Sequence, residues 1–222
     1  RSINTGTIKL PDEMTYDQAS FIEPLGTIAR AMRTIEIKPG NSVFICGVGI
    51  AGLLMVKMAR ALGAGRIFVS DMSDYRLQKA KEYGADFAWK ATTEDIPGLI
   101  KENNEGRGVD KSILCVGAVP PAETTLSAAG KGSTVLLFAV PKPDERVVMD
   151  FNPFWRNDIT IKSCYGAAPL DNMQGCELIR SGAINVDDMI THRYGIDDIQ
   201  EAFKMGAQPD GCLKVVIAPN QE

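Results

Sequence analysis

The sequence predicts an α/β fold, a doubly wound parallel sheet, on three observations. A short apolar run, Ser42 to Cys46, is followed at once by Gly47, Gly49 and Gly52 in the spacing G-x-G-x-x-G. The stretch from Val48 to Leu62 carries only two charges, Lys57 and Arg60, so it reads as a helix that is apolar nearly all round and has to be covered on most sides. A second apolar run, Arg66 to Ser70, ends on Asp71, nineteen positions after Gly52. Strand, tight turn, helix and strand in that order begin a sheet with helices on both faces.

Each glycine has its own mechanical task. Gly47 permits a sharp turn out of the strand, Gly49 lacks a Cβ so that a pyrophosphate can approach the backbone, and Gly52 lets the helix lie close on the sheet. The free N–H groups around Ile50 and Ala51, in the first helical turn, then face a diphosphate. Asp71 can accept both ribose hydroxyls of an adenosine and would repel a 2′-phosphate. The expected cofactor is therefore NAD rather than NADP. A P-loop is excluded, because no G-K-[ST] follows the glycines. An S-adenosylmethionine-dependent methyltransferase is a weaker rival: such enzymes place an acid just before the first glycine, where this chain has Phe44, Ile45 and Cys46.

The remaining elements follow in order. Thr15 to Ile35 has a helical pattern marked by Ala19, Ile22, Ile28, Ala29 and Met32, with Glu23 inside it as a solvated helix carboxylate on spacing alone; Pro39-Gly40 breaks the chain before strand one. Gly63 ends the glycine-turn helix. Ser73 caps a helix through Tyr83 that Gly84 stops, and Asp86 to Trp89 is strand three. Thr92 or Thr93 caps the next helix, with Pro97 early enough to be tolerated. Strand four is Lys111 to Val116, a helix runs from Pro121 to Ala129, strand five is Thr134 to Val140 and strand six is Ile159 to Cys164. The alternation implies parallel, right-handed connections.

Ligands in such sheets lie at the carboxyl ends of the strands. Val116 and Gly117, then Phe138, Ala139 and Val140, stand there and are candidates to flank a nicotinamide; as apolar strand ends they fit a core role equally well. Pro141 to Phe151, charged and twice broken by proline, reads as a surface loop. Helices at Leu170 to Ser181 and Asp197 to Met205 and a strand at Leu213 to Ala218 exceed a six-stranded sheet and are assigned to a second domain or a lid.

Composition narrows the partners. The 222 residues carry a net charge of −4 with 45% hydrophobic residues and no basic block, which argues for a globular α/β chain and against nucleic acid or an anionic membrane as partner. The longest apolar stretch, Ser42 to Ala59, is broken by Lys57 and three glycines, too compromised for a membrane span, and no secretory signal is visible. Five cysteines form no C-x-x-C pair and read as buried reduced thiols in a cytoplasmic protein. With His192 as the one histidine, no zinc-ligand cluster is expected within the chain.

The phrases IEPLGTIARAM, VFICGVGIAGLL, VSDMSDYRLQKAKEYGAD and ITHRYGIDDIQEAFKM, in this order, resemble the zinc-containing branch of the medium-chain dehydrogenase/reductases, which includes sorbitol, butanediol and threonine dehydrogenases. The resemblance covers nearly the whole chain. It implies a six-stranded Rossmann domain that binds NAD or NADP, and a catalytic domain built mostly from residues that would precede it. The family's catalytic zinc ligands and its four-cysteine lobe belong to that earlier part, and none of them is here.

The resemblance implies a domain plan of 1–24 as a linker or catalytic-domain remnant, 25–166 as the NAD-binding Rossmann domain and 167–222 as a segment returning to the catalytic domain. Gly47, Gly49 and Gly52 match the glycine turn and Asp71 the ribose acid. Arg76, in S-x-x-R-L, resembles an arginine beside the adenosine, although an exposed helix charge would read the same. Glu23, in E-P-L, matches a glutamate that points at the catalytic zinc or its water, and Arg193 resembles an arginine that reaches a polyol hydroxyl, while His192 is structural. The expectation is the NAD-binding portion of a zinc-dependent alcohol or polyol dehydrogenase, acting on a small-molecule alcohol and forming a homo-oligomer through an exposed strand six, but inactive as this chain alone. A non-catalytic NAD-sensing regulatory domain is the rival from another class.

Overall fold

A computed structural model describes residues 7–208 and 210–219; Arg1 to Gly6, where the expected remnant begins, lie outside the described residues. The chain divides into two units, Ile28–Gly166 and the combination of Arg1–Thr27 with Ala167–Glu222.

The larger unit is built on six parallel strands, β1 (Ser42–Cys46), β2 (Arg66–Asp71), β3 (Phe87–Lys90), β4 (Val109–Leu114), β5 (Ala129–Leu137) and β6 (Thr160–Ser163), in the order β3-β2-β1-β4-β5-β6. The chain winds outward from β1 in both directions, so β1 and β4 flank the place where strand order reverses. All five residues of β1 are buried, as expected for a strand covered on both faces. On one face Phe44, Phe68, Ile96, Ile100 and Leu114 share a core, each fully buried large side chain contributing about 2 kcal/mol. Phe68, Phe87 and Trp89 stack across β2 and β3 with centroids 5.1 to 5.7 Å apart. On the other face Cys115 at the end of β4 meets Met55 at 3.2 Å between sulfurs.

Six helices take part in this unit: the second half of α2 (Ile22–Ile35), α3 (Ile50–Ala61), α4 (Asp74–Glu82), α5 (Ile96–Asn103), α6 (Val119–Ser127) and α7 (Phe151–Arg156). Ser73 caps α4 as expected, its side chain accepting from the Arg76 amide. The cap of α5 is Asp95, whose Oδ1 accepts from Gly98 N at 3.2 Å, and not Thr92 or Thr93. Proline explains the correction: with Thr93 as cap, Pro97 would fall at the first position whose N–H must bond within the helix, and it has none. α6 stops at Ser127, short of Ala129, because the Ala128 carbonyl is claimed by Val109 N at 2.9 Å, which draws the chain into β5 five residues before the expected Thr134. Phe151 opens α7 under an Asp150 cap and so does not belong to the surface loop.

The smaller unit holds α1 (Tyr16–Ala19), the start of α2, α8 (Pro169–Arg180), α9 (Ile199–Gly206) and a two-stranded parallel sheet of β7 (Ile190–Gly195) and β8 (Lys214–Ala218). The single helix expected over Thr15 to Ile35 is two. Pro24 has no N–H to give the Ser20 carbonyl, and the chain turns at Ser20 and Phe21 between α1 and α2.

Candidate functional site

Backbone hydrogen bonds tie the carboxyl ends of four strands into one row. Gly47 N donates to Ser70 O at 2.8 Å, Cys115 N to Cys46 O at 2.9 Å, and Phe138 N and Ala139 N to Leu114 O at 3.1 and 2.9 Å. This row brings the expected cofactor residues together. A Cβ on Gly47 would lie 3.1 Å from Val116 Cβ, and one on Gly117 would lie 2.7 Å from the Val140 carbonyl. Gly117 is therefore needed for close approach of the β4 and β5 ends, a task spacing had not assigned. Val116 and Val140 remain 37% and 60% exposed, more open than core strand ends would be.

The three glycines of the turn do different work. Gly47 holds φ +90°, where a side chain is strained. A Cβ on Gly52 would stand 2.1 Å from the Gly47 carbonyl, whereas one on Gly49 would meet only Arg76 Nη1, at 3.9 Å. The approach to Gly49 is thus open apart from one guanidinium. Gly49 caps α3 with no side-chain hydrogen bond, so the amides around Ile50 and Ala51 are left for an incoming anion. Arg76 lies at this turn with its Nε buried and without a partner.

Asp71 stands at the end of β2 with both oxygens engaged. Oδ2 accepts from Val48 N at 2.8 Å and Oδ1 from Ser73 N at 2.9 Å. The carboxylate therefore sits against the glycine turn at the mouth of the sheet, and each oxygen keeps a lone pair for a hydroxyl. Burial raises the thiol pKa values of Cys46, which ends β1, and of Cys115 and Cys164, which follow β4 and β6, so this rim carries little thiolate. All five cysteines are free.

A family model described as "Zinc-binding dehydrogenase" matches residues 49–180, more than half of the chain. This chain belongs to the zinc-binding dehydrogenase family. Relatives of this chain include the sorbitol dehydrogenases of Bacillus subtilis (strain 168), 29% identical, and Mus musculus, 32% identical, each match covering 96% of this chain and 60% of the relative. The fold is also that of a zinc-binding dehydrogenase from Sinorhizobium meliloti 1021 bound to NADP, with 25% identity and a TM-score of 0.88 over 96% of this chain and 62% of that one. The chain thus spans about 60% of the length of the curated relatives it matches.

In the smaller unit, Glu23 is exposed in the first turn of α2. Lys214 Nζ donates to Ser20 O at 3.1 Å and lies 4.6 Å over the Phe21 ring; burial lowers its pKa, and the Glu23 charge opposes that shift. Arg193, on β7, is held by Asp17, and His192 stacks on Tyr194 with centroids 6.4 Å apart. Among the described residues no three His, Cys, Asp or Glu gather as a metal-binding group, so the side chains present do not make a zinc site by themselves. No described helix is long and apolar enough to cross a membrane. Sequence reasoning missed Asp17 and Lys214. Pro24 was the readable signal for Lys214, since the missing N–H leaves the Ser20 carbonyl in need of a donor; nothing local announces Asp17.

Proposed function

We propose that this chain is the NAD-binding part of a zinc-dependent alcohol or polyol dehydrogenase. The observation that carries the reading is the pairing of an open Gly49, which caps α3 without a side-chain bond, with a carboxylate seated on the same turn. The diphosphate would rest on the amides of Ile50 and Ala51, with Gly52 keeping the helix against the strand. Asp71 would accept the adenosine ribose hydroxyls while its bonds to Val48 N and Ser73 N hold it in place, and its charge would disfavour a 2′-phosphate. Arg76 would lie along the adenosine side. Val116, Gly117, Phe138, Ala139 and Val140 would line the nicotinamide half and exclude water from it. Bound nicotinamide supplies a two-electron hydride acceptor.

Glu23 and Arg193 are proposed as the substrate-side groups, the first toward a metal or its water and the second toward a hydroxyl. The described residues hold no metal-binding group, and this chain alone is expected to bind NAD without turning over an alcohol. Sorbitol dehydrogenases among the relatives make a polyol the first substrate to try with the complete protein. Five free cysteines support a cytoplasmic setting. β6 is the edge of the sheet, and Phe151, Trp155 and Ile161 are 72%, 75% and 39% exposed, which supports a homo-oligomer formed through this edge. A monomeric mass at high concentration would remove that part of the proposal.

Titration calorimetry tests the core of the reading. NADH is expected to bind, NADPH at least about tenfold more weakly because of Asp71, and S-adenosylmethionine not at all. A chain that ignores NADH at millimolar concentration would overturn it.

A further inference from the structure

In the larger unit, separate elements bring lysines together on one face of the sheet. Lys111 on β4 stands beside Thr134 on β5, and Thr134 beside Thr160 on β6. Partners in register share a face, and Lys162, two residues beyond Thr160, points the same way. The end of α2 covers this row: Lys162 Nζ donates to Thr34 O at 3.0 Å and to Glu36 Oε1 at 2.7 Å. Lys38, exposed on the chain that leads to β1, is near enough for its charge to act on both Glu36 and Lys111.

Lys111 is half-buried, and its partner differs in kind from those of the other held lysines. Its Nζ meets Thr134 Oγ1 at 3.3 Å, and Thr134 is itself buried. A hydroxyl accepts from an ammonium and donates to a neutral amine equally well. Lys162 and Lys214 lack that freedom, because the carbonyl and carboxylate oxygens of Thr34, Glu36 and Ser20 only accept. Glu36 is already taken by Lys162. Asp110, next to Lys111 along β4, points to the opposite face, where Oδ2 accepts from Ser42 N and Oγ at 2.8 and 2.9 Å. Among the described residues Lys111 therefore makes no ion pair.

Burial is the largest influence on the Lys111 ammonium and lowers its pKa; Glu36 and Asp110 oppose that shift, while Lys162 and Lys38 reinforce it. A free amine here is a nucleophile. Losing the Lys111 charge also evens the neighbourhood, since Lys38 and Lys162 then balance Glu36 and Asp110.

We propose that Lys111 is an acylation site whose donor is a small acyl phosphate. The amine nitrogen attacks the acyl carbon, and the C–N bond forms as the C–O bond to phosphate breaks. Phosphate departs with the bonding pair and carries off the proton shed by nitrogen as hydrogen phosphate. A small donor suits an amine only half open to solvent, and the exposed Lys38 offers the phosphate a counter-charge. The amide product is neutral, so burial no longer penalises a charge there. The reaction needs neither cofactor nor zinc.

The test incubates the full chain with acetyl phosphate at about pH 8 and times acetylation at each lysine by peptide mass spectrometry. Lys111 is expected to react severalfold faster than Lys162 and Lys214 in the folded chain and to lose that lead in denaturant. Lys162→Met removes a neighbouring cation and frees Glu36, so acetylation of Lys111 should slow; Glu36→Gln removes the carboxylate that opposes the shift, so it should quicken. Both variants are read well below their melting temperatures. A Lys111 no faster than Lys162 in the folded wild type overturns the proposal, as does a lead that survives denaturant. Variants that respond alike, or in the reverse directions, overturn it too.

Discussion

Asp71 Oδ2 accepts the Val48 amide at 2.8 Å, so the carboxylate that ends β2 also clamps the turn that ends β1. Its other oxygen holds the Ser73 amide at 2.9 Å. One side chain therefore serves both as a proposed ligand for the ribose and as a brace between two turns.

Asp71→Ala is expected to lose on both counts. Two backbone amides lose a charged acceptor, at a cost of about 1–3 kcal/mol in stability, and NADH affinity falls at least about tenfold. Calorimetric unfolding and NADH titration measure the two effects separately. A variant that binds more weakly with an unchanged melting temperature would show that the brace is dispensable.

Gly49→Ala and Gly52→Ala should part company. At position 52 the new Cβ would lie 2.1 Å from the Gly47 carbonyl, so helix and strand must separate, with a loss of more than about 3 kcal/mol. At position 49 the nearest atom is Arg76 Nη1 at 3.9 Å; the fold should lose under about 1 kcal/mol while the diphosphate loses its seat. Denaturant melts and NADH binding on both variants decide the matter, and equal destabilisation would contradict the geometry.

Lys162 donates to Glu36 Oε1 at 2.7 Å, and that bond and charge hold the Glu36 carboxyl below its ordinary value of 4.5. A carboxylate lowered in the folded state gives stability that is complete above its unfolded pKa and is lost as pH falls through the folded one. The melting-temperature gap between wild type and Lys162→Met should therefore be full near pH 7 and shrink steadily below about pH 4.5. A gap that widens on acidification would reverse the sign.

Cys46 and Cys115 should resist alkylation in the native chain. Burial raises both thiols above their ordinary range, and the thiolate is the reactive form. Mass spectrometry after iodoacetamide at about pH 8 should find them unlabelled until denaturant is added. Rapid native labelling of Cys115 would mean that the rim opens.

Much of the larger unit was legible because its signals are local. The G-x-G-x-x-G spacing, the apolar β1 and the acid ending β2 each announce themselves within a few residues, and β1 falls on Ser42–Cys46 as read. The order of the strands was legible as well, although β4 and β5 end at Leu114 and Leu137, before the Val116 and Val140 that the apolar runs suggested. What failed depended on atoms that a residue pattern does not weigh. The Asp95 cap follows from a proline lacking its N–H, the early start of β5 from a carbonyl recruited by β4, and the break before α2 from Pro24. Asp17 was beyond reach, since its partner Arg193 lies 176 positions away and only the folded chain makes them neighbours.

The row of amides that joins Ser70, Gly47, Cys46, Cys115, Leu114 and Phe138 has a dynamic consequence. Side chains can repack in nanoseconds, but this lip is main chain bonded to main chain across neighbouring strands, and it loosens only when the strands themselves part. A visitor must accept the width it finds there, so discrimination at this entrance is settled by stiffness before any side chain has moved.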